Sequence, residues 1–321
     1  MRAVVLGEGG QLAVREVSLE DAGPGEALVR VLVAGICSTD LELRRGYMGF
    51  QGVPGHEFVG RVERAPAGHE TLLGKRVVGE INAACGQCET CARGLPRHCP
   101  RRTVLGILGR SGAMAELLWL PAGNLREVPD VLATDRALFT EPVAAAYEVL
   151  EQVAVRGKRV LVMGAGKLGG LVAQVLALAG ASVTVVGRHE RLLVPLAEAG
   201  ISVTASVESL PPRSFPMIVE ATGQPEGFER ALGLVEPRGT IVLKSTCASA
   251  RPLNLAPVVI DEVTVIGSRC GPFEPSLAAL AAGRLSPEST IDARFELDDA
   301  SSAFDEASRP GIRKVVLDIS S

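Results

Sequence analysis

The chain has 321 residues, enough for two domains at roughly 150 residues each. Apolar residues make up 47% and charged residues 22%, and 33 Lys and Arg against 37 Asp and Glu give a net charge of −4. This composition is typical of a folded globular protein and excludes a largely disordered chain. The acidic balance and an aromatic content of only 3% argue against a nucleic-acid-binding surface.

The most apolar segments do not predict a membrane protein. Gly7 and Glu8 interrupt the first apolar run, which is too short for a signal peptide. Residues 160–187 carry one charge, Lys167, but glycines divide them into strand, turn, helix and strand, which predicts a buried parallel-sheet unit. Seven cysteines, an odd number without a secretory signal, disfavour a disulfide framework and favour the cytoplasm.

Cys37 is the first candidate metal ligand along the chain. His56 and Glu57 follow it as an adjacent pair, and Glu141 comes much later. A thiolate, an imidazole and a carboxylate are suitable zinc ligands, and a catalytic zinc takes about three of them from the protein and keeps one position open. Each residue alone is a weak signal, because a His-Glu pair is more often a surface turn than a ligand.

Four closely spaced cysteines predict a second metal site. They are Cys85, Cys88, Cys91 and Cys99. Four thiolates at this spacing suit one tetrahedral zinc with a closed shell, which makes the site structural. An iron–sulfur cluster is the alternative, but nothing else in the chain indicates a redox role. The remaining pair, Cys247 and Cys270, are predicted to be small buried residues.

A glycine-rich turn in the second half predicts a dinucleotide site. Residues 159–163 form an apolar strand pattern, and Gly164, Gly166 and Gly169 follow it at G-x-G-x-x-G spacing. A helical pattern over 168–179 and a strand pattern over 182–186 complete the unit. The first glycine permits a tight turn, the second lets the backbone approach a pyrophosphate, and the third lets helix and strand pack closely. Lys167 and Leu168, between these glycines, are predicted cofactor contacts at the helix start.

The same alternation continues beyond this unit. Strand patterns occupy 217–220, 240–243 and 263–266, with helical patterns between them, including 226–235. Strands that alternate with helices predict a doubly wound parallel sheet. Thr222 follows the 217–220 strand and is a further candidate cofactor residue.

The end of the 182–186 strand predicts the cofactor type. An acidic residue is expected there for the ribose hydroxyl of NAD, but Gly187 occupies the position, followed by Arg188 and His189. A guanidinium can pair bidentately with a 2′-phosphate. The sequence therefore predicts a preference for NADPH over NADH, the alternative being a solvated basic turn.

Together these motifs resemble the zinc-containing medium-chain dehydrogenases/reductases of the alcohol dehydrogenase type. The matching elements, in the order of that family, are Gly-x-Cys-x-Thr-Asp at 35–40, Gly-His-Glu at 55–57, the four cysteines at 85–99, Glu141-Pro142 and the glycine turn at 164–169. Glu141-Pro142 resembles the polyol, glucose and threonine dehydrogenase branch.

The resemblance implies an α/β protein with two domains. A GroES-like β-barrel catalytic domain would comprise 1–127, including the cysteine lobe at 85–99, and would be completed by 270–321. A Rossmann domain with a doubly wound parallel sheet would comprise 128–269, and the active site would lie in the cleft. The resemblance also implies a homodimer or homotetramer that acts on a small molecule, with no nucleic-acid or membrane partner.

The resemblance also implies roles for individual residues. Cys37, His56 and Glu141 would hold a catalytic zinc, with Glu57 beside it, and the cysteine lobe would hold a structural zinc, two per chain. Thr39 would begin a proton relay, because a hydroxyl donates and accepts at once. Asp40 would orient His56 or serve as a charge at a helix N-terminus. Glu42 stands where some relatives place a relay histidine.

Three functions follow from these expectations. The leading one is a zinc-dependent, NADP(H)-preferring oxidoreductase that interconverts an alcohol and a carbonyl. The second is reduction of an activated C=C bond, in an α,β-unsaturated ketone or an acyl-CoA thioester. The third is a non-catalytic, nucleotide-sensing zinc protein.

Overall fold

The computed structural model describes residues 1–246 and 252–319. The strands are, in chain order, β1 (Arg2–Leu6), β2 (Leu12–Glu16), β3 (Glu26–Ile36), β4 (Glu57–Arg64), β5 (Arg76–Gly79), β6 (Asn82–Ala83), β7 (Thr103–Val104), β8 (Leu117–Pro121), β9 (Leu125–Glu127), β10 (Arg159–Met163), β11 (Ser182–Val186), β12 (Ser202–Thr204), β13 (Phe215–Glu220), β14 (Val235–Leu243), β15 (Thr264–Gly267), β16 (Ile291–Glu296) and β17 (Lys314–Asp318). The α-helices are α1 (Ser38–Arg44), α2 (Glu89–Ala92), α3 (Thr134–Ala137), α4 (Thr140–Gln152), α5 (Gly169–Leu178), α6 (Glu190–Glu198), α7 (Gly227–Leu234), α8 (Ala256–Ile260), α9 (Phe273–Ala281) and α10 (Ala300–Ala307).

The chain divides into two compact units. The first unit comprises Met1–Glu141 and Ser276–Ser321, and the second comprises Pro142–Pro275. The sequence placed the borders at 127/128 and 269/270. Both observed borders fall inside helices, α4 and α9, so no loop marks them in the sequence.

A seven-stranded sheet forms the centre of the first unit. Its order is β16-β17-β3-β4-β5-β9, and β8 also pairs with β3. β3 is antiparallel to both β4 and β17, with Gly35 opposite Glu57 and Ile36 opposite Val315. This register brings the end of β3 beside the starts of β4 and β17.

The second unit confirms the predicted parallel sheet. Its order is β12-β11-β10-β13-β14-β15, with every pair parallel. With β10 counted as the first strand, this is the 3-2-1-4-5-6 order of dinucleotide-binding folds. In such sheets a ligand binds where the strand order reverses, at the carboxyl ends of the two central strands, here β10 and β13.

The apolar segment 160–187 is a sheet unit, as its glycines predicted. β10 and β11 frame it, and its helix, α5, covers only Gly169–Leu178. Within the two described ranges, no helix is both long enough and apolar enough to cross a bilayer. Of the two isolated cysteines, Cys247 lies outside the described residues. Cys270 is half-buried, whereas the sequence predicted a fully buried residue.

Candidate metal centre and dinucleotide site

Three strands of the first unit bring the candidate catalytic residues together. Cys37 follows β3, His56 immediately precedes β4, Glu57 begins β4, and Lys314 begins β17. The sulfur of Cys37, a ring nitrogen of His56 and a carboxylate oxygen of Glu57 all lie within 4.8 Å of one another. His56 and Glu57 are buried, at 3% and 1% exposure. The structure thus places a cysteine sulfur, an imidazole and a carboxylate in one cluster, in which Cys37 is half-buried and the other two residues are buried.

Gly35 makes room for this cluster. It lies opposite Glu57 across the β3–β4 pair. A Cβ atom built at Gly35 would overlap Oε2 of Glu57. The glycine two residues before Cys37 is therefore a steric requirement for the position of the carboxylate.

Asp40 connects the two ligands that flank it in sequence. Its Oδ2 accepts a hydrogen bond from the backbone N–H of Cys37 (2.8 Å), which caps helix α1. Its Oδ1 accepts one from Gly55 N–H (3.2 Å) and lies 3.3 Å from Nδ1 of His56. That last contact is poorly aligned, so Nδ1 of His56 lacks a hydrogen-bond partner. The side chain therefore caps α1 and lies beside the imidazole.

The electrostatic balance at His56 favours positive charge in this cluster. Burial disfavours the imidazolium, but the charges of Asp40 and Cys37 outweigh it and raise the pKa of His56 well above its usual value. A divalent cation bound by these side chains would satisfy the same negative groups. The donor set therefore fits a zinc ion, which binds Cys, His and carboxylate ligands.

Lys314 also lies in this cluster, where the sequence did not predict it, since the sequence indicated only a position near the cofactor. Its ammonium forms a buried ion pair with Glu57, with the two side chains 5% and 1% exposed. It also lies 5.5 Å from the ring centre of Phe139. Burial opposes the ammonium, but the charges of Glu57, Cys37 and Glu141 together outweigh it and raise the pKa of Lys314. The only local sign of a buried charge in the sequence was a single lysine at the start of an apolar strand.

Glu141 lies near the cluster, but its carboxylate is not within 4.8 Å of all three of the other donor atoms. It is the second residue of α4 and is mostly buried. Burial raises the pKa of its carboxyl to about 7, and the neighbouring charge of Glu57 acts in the same direction, whereas His56 opposes it. These influences show that the carboxyl is close to the cluster.

The hydroxyl predicted to move protons also lies at the cluster. Oγ1 of Thr39 is 3.9 Å from Sγ of Cys37. Glu42, which replaces a relay histidine, is paired instead with Arg45 (2.6 Å) on a more exposed part of α1. The structure thus brings Thr39, but not Glu42, into contact with a candidate ligand.

The four-cysteine lobe closes on itself as its spacing predicted. All four sulfur atoms lie within 4.8 Å of one another. Sγ of Cys99 is 3.5 Å from that of Cys85 and 3.7 Å from that of Cys88, and the Cys88–Cys91 distance is 3.5 Å. Four sulfurs at about 2.3 Å from a tetrahedral zinc would lie about 3.8 Å apart. The observed spacing therefore fits a closed zinc shell.

The lobe favours ionisation of some of its thiols but not of all four together. The backbone N–H of Gln87 donates to Cys85 and, as the largest cause, lowers the pKa of that thiol to about 6. Desolvation first, and then the sulfurs of Cys88 and Cys99, raise the pKa of Cys91 to about 11. Four sulfurs this close cannot all be ionised without a cation, so the cluster is chemically suited to a divalent ion.

The glycine-rich turn has the steric properties that a dinucleotide site requires. A Cβ at Gly164 would come within 2.7 Å of the carbonyl oxygen of Ala221, and one at Gly169 would overlap the carbonyl oxygen of Gly164. A Cβ at Gly166 would meet no protein atom within 4 Å. The outer glycines thus serve packing, while the middle one faces open space where a pyrophosphate can approach.

The other predicted cofactor residues surround this turn. Leu168 is the N-cap of α5, and Lys167 lies in the turn before it. Thr222 follows β13 and donates its backbone N–H (2.8 Å) and its hydroxyl (2.5 Å) to Oε1 of Glu220. Because β13 neighbours β10, Thr222 lies at the predicted edge of the sheet.

The segment after β11 places basic side chains at the surface. Gly187 has no space for a side chain, because a Cβ there would come within 2.8 Å of Cβ of Ala165. Arg188 and His189 are exposed, and His189 is the N-cap of α6. The position that carries an acid in NAD-binding folds is therefore closed by packing, with a guanidinium next to it.

Comparison with known proteins supports this arrangement. Residues 23–130 match the family described as the alcohol dehydrogenase GroES-like domain, and residues 168–282 match the family described as zinc-binding dehydrogenase. These matches confirm the predicted GroES-like and Rossmann folds.

Individual relatives extend the match over the whole chain. L-threonine 3-dehydrogenase of Streptomyces avermitilis is 31% identical over 333 residues, which cover 96% of each protein. The structure of alcohol dehydrogenase TADH from Thermus sp. ATN1 has 32% identity and a TM-score of 0.90, with 100% of both chains covered.

Two further solved structures contain a nicotinamide cofactor. A protein from Sinorhizobium meliloti 1021, described as a zinc-binding dehydrogenase and bound to NADP, has 27% identity and a TM-score of 0.89 over 99% of both chains. The short chain alcohol dehydrogenase (rspB) from E. coli CFT073, complexed with NADH, has 26% identity and a TM-score of 0.89 over 99% of both chains.

The family, the donor clusters and the glycine turn all indicate zinc and a nicotinamide dinucleotide as cofactors. The relatives are named dehydrogenases, which indicates an oxidoreductase rather than a non-catalytic nucleotide sensor. The chain is therefore an oxidoreductase that belongs to the zinc-containing medium-chain dehydrogenase/reductase family, of the alcohol dehydrogenase type.

Proposed function

We propose that this enzyme transfers hydride between a nicotinamide cofactor and an alcohol or carbonyl substrate. The observation that carries the proposal is the buried cluster of Cys37, His56 and Glu57 at one end of the first unit's sheet. Zinc held there supplies a positive charge that polarises a carbonyl oxygen and stabilises an alkoxide. The similarity to a protein named L-threonine 3-dehydrogenase supports an alcohol substrate.

Cys37 and His56 supply two ligands of this proposed catalytic zinc. Glu57 offers the carboxylate nearest to both, although it also pairs with Lys314. Glu141, the carboxylate beside them, is the alternative third ligand. Cys85, Cys88, Cys91 and Cys99 hold a second, structural zinc in this proposal, which gives two zinc ions per chain.

Thr39 is the proposed first acceptor of the substrate's hydroxyl proton. Its hydroxyl lies beside Sγ of Cys37 and can accept one proton while it donates another. Glu42 is held by Arg45, so the proton leaves Thr39 by a path that does not use the position of the relay histidine.

The proposed cofactor is NADPH rather than NADH. Packing of Gly187 against Ala165 excludes the acid that would bind the ribose hydroxyl, and Arg188 is exposed beside it. Arg188→Ala should lower the NADPH/NADH ratio of kcat/KM by about 10- to 100-fold, as expected for a lost charge-assisted hydrogen bond. Arg230→Ala, at an exposed arginine of α7, is the matched control. An unchanged ratio in Arg188→Ala would contradict the assignment.

The function itself is tested by NADPH oxidation with the zinc-replete protein. One substrate panel contains aldehydes, ketones and sugars, and the other contains α,β-unsaturated ketones and thioesters. Turnover in the first panel supports the proposal. Turnover in the second panel alone would replace it with enoyl reduction on the same fold.

A further inference from the structure

Lys244 is a buried cation that the proposed mechanism does not use. It follows β14 directly and is 8% exposed. Its ammonium donates hydrogen bonds to the carbonyl oxygens of Ala145 (2.7 Å) and Arg269 (2.8 Å) and to Oγ of Ser268 (3.2 Å). An ammonium has three N–H groups, so each of them has an acceptor in the protein. Burial of a charge is costly unless hydrogen bonds compensate it, and these three bonds fix the ammonium in one place.

The three bonds join the ends of two strands to a helix of the same unit. Ala145 lies in α4, whereas Ser268 and Arg269 follow β15. The last paired residues of β14 and β15 are Leu243 and Gly267. The ammonium therefore continues the connection between these strands past the end of the sheet, and it ties both of them to α4.

Other contacts show that the segment 267–271 is built to lie against α4. The side-chain amide of Gln152 donates to the carbonyl oxygen of Gly267 (3.0 Å). Gly271 approaches α4 so closely that a Cβ atom there would overlap the carbonyl oxygen of Ala144. The buried ammonium is thus the charged part of a wider contact between this segment and the helix.

The segment lies on the side of the sheet where the nicotinamide half of a dinucleotide is expected. A dinucleotide fold has two halves that each take one mononucleotide, on either side of the point where the strand order reverses. β11, whose end precedes Arg188, belongs to one half, and β14 and β15 belong to the other. The glycine turn after β10 receives the pyrophosphate between them. With the adenosine ribose at the end of β11, the nicotinamide is expected at the ends of β13, β14 and β15.

Hydrogen bonds also connect this edge of the sheet to the glycine turn. The backbone N–H of Lys244 donates to the carbonyl oxygen of Glu220 at the end of β13 (2.8 Å). The hydroxyl of the next residue, Ser245, accepts a hydrogen bond from Gly223 N–H in the turn after β13 (2.8 Å). This turn is the one that packs against Gly164. Lys244 therefore lies at an edge whose parts are fixed to one another and to the pyrophosphate site.

We propose that Lys244 is a positioning residue for the nicotinamide half of the cofactor. Its ammonium keeps the segment 267–271 and α4 in the conformation that accepts this half, so that cofactor binding does not have to order them. Loss of the ammonium should weaken ligands that carry a nicotinamide and spare ligands that end at the second ribose. The inference rests on the nicotinamide cofactor of the proposed function, and not on the identity of the substrate.

Calorimetric titration of two ligands tests this distinction in the zinc-loaded protein. NADP⁺ contains the nicotinamide, whereas 2′-phospho-ADP-ribose has the same adenosine and pyrophosphate without it. In Lys244→Met, the Kd of NADP⁺ should rise about tenfold, as expected for lost charge-assisted hydrogen bonds, while that of 2′-phospho-ADP-ribose should stay within about twofold. Equal weakening of both ligands would show a merely structural role, and an unchanged Kd of NADP⁺ would also overturn the inference.

NAD⁺ and ADP-ribose form a second pair of ligands, so the result does not depend on the proposed preference for NADPH. Lys244→Met should weaken NAD⁺ and NADP⁺ by the same factor, unlike Arg188→Ala, which acts on the adenosine half. A change in the ratio of their Kd values would place the effect of Lys244 in the adenosine half and contradict the inference.

Two further variants keep the test decisive. Lys158→Met makes the same substitution at an exposed lysine of the same unit and should leave all four Kd values unchanged. Ser268→Ala removes only one acceptor of the ammonium and should raise the Kd of NADP⁺ about threefold. If Lys244→Met does not fold, this milder variant takes its place, and an unchanged Kd of NADP⁺ in it would then overturn the inference.

Binding and turnover separate this inference from the proposed function, because the titrations contain no substrate. The expected difference between NADP⁺ and 2′-phospho-ADP-ribose, found without turnover in either substrate panel, would remove the proposed function and support the role of Lys244. Turnover of alcohols together with equal weakening of both ligands would support the function and overturn the role of Lys244.

Discussion

The four cysteines of the lobe come from one short stretch, 85–99, whereas Cys37, His56 and Glu57 come from the ends of two neighbouring strands. The lobe carries only sulfur, and its atoms close on each other at 3.5 to 3.7 Å. The second cluster is mixed, and it includes a protein cation, because Lys314 pairs with Glu57.

The two sites therefore relate to folding in different ways. A metal in the cysteine lobe would hold a short stretch of chain in its fold, whereas the strand cluster forms only when the sheet has formed. Four equal thiolates close around an ion and leave no position for a reactant. Three different donors, arranged by sheet register and by the missing side chain of Gly35, would fill three positions of a tetrahedral zinc and leave the fourth for a reactant. The comparison predicts that damage to the lobe reduces stability and that damage to the strand cluster reduces activity.

The largest expected effect follows from opening the lobe. Cys99→Ser removes the buried sulfur that contacts both Cys85 and Cys88. Loss of a structural zinc should cost about 5 kcal/mol of stability, because metal binding contributes directly to folding. This should appear as a fall in Tm of roughly 10–20 °C together with one zinc fewer per chain.

Cys270→Ser is the matched control for this variant, since Cys270 belongs to neither cluster. It should keep the zinc content and the Tm of the original protein. A Cys99→Ser protein that also keeps both would remove the structural role from the lobe.

The next effect concerns the strand cluster. Cys37→Ser replaces a thiolate with a weak ligand at the proposed catalytic zinc. Turnover should fall by roughly a thousandfold, equivalent to about 4 kcal/mol of transition-state stabilisation. The Tm should change by only a few degrees, measured by thermal unfolding beside Cys99→Ser. Normal turnover in this variant, or unfolding as severe as in Cys99→Ser, would erase the distinction between the two sites.

The smallest of the three effects tests the buried cation. In the zinc-free protein, Lys314→Met leaves the carboxylate of Glu57 buried without its charged partner. The cost should be about 3 kcal/mol, the lower range for a broken buried pair. Thermal unfolding should show a loss of stability that the double variant Lys314→Met/Glu57→Gln recovers by more than half. Equal stability of the single and double variants would show that the pair does not balance charge.

The same difference between a local site and a site assembled by sheet register decides how much of each could be predicted from sequence. The cysteine lobe and the turn at Gly164, Gly166 and Gly169 lie within short stretches, where spacing alone conveys geometry. The strands β10 and β11 were predicted at their observed bounds because both are continuous apolar runs that turn residues terminate.

The rest depended on register, which a single sequence does not display. Nothing local to Lys314 shows that β17 lies beside β3, so its ion pair with Glu57 could not be predicted. The borders of the two compact units lie inside α4 and α9 rather than in loops, so no local signal in the sequence marks them. The β12 strand is only three residues long, Ser202–Thr204, and its pattern was too short to detect.

The ion pair between Lys314 and Glu57 also has a consequence for the order in which the protein is assembled. Its partners are 257 positions apart in the chain, whereas Cys85 and Cys99 are separated by 14. Because a ribosome releases the chain from its N-terminus, all four cysteines emerge well before Lys314 does. The lobe can therefore bind its metal during synthesis, whereas the carboxylate of Glu57 gains its charged partner, Lys314, only after β17 has been synthesised. The same chain would thus gain a stable scaffold first and a working centre only after Lys314 has emerged.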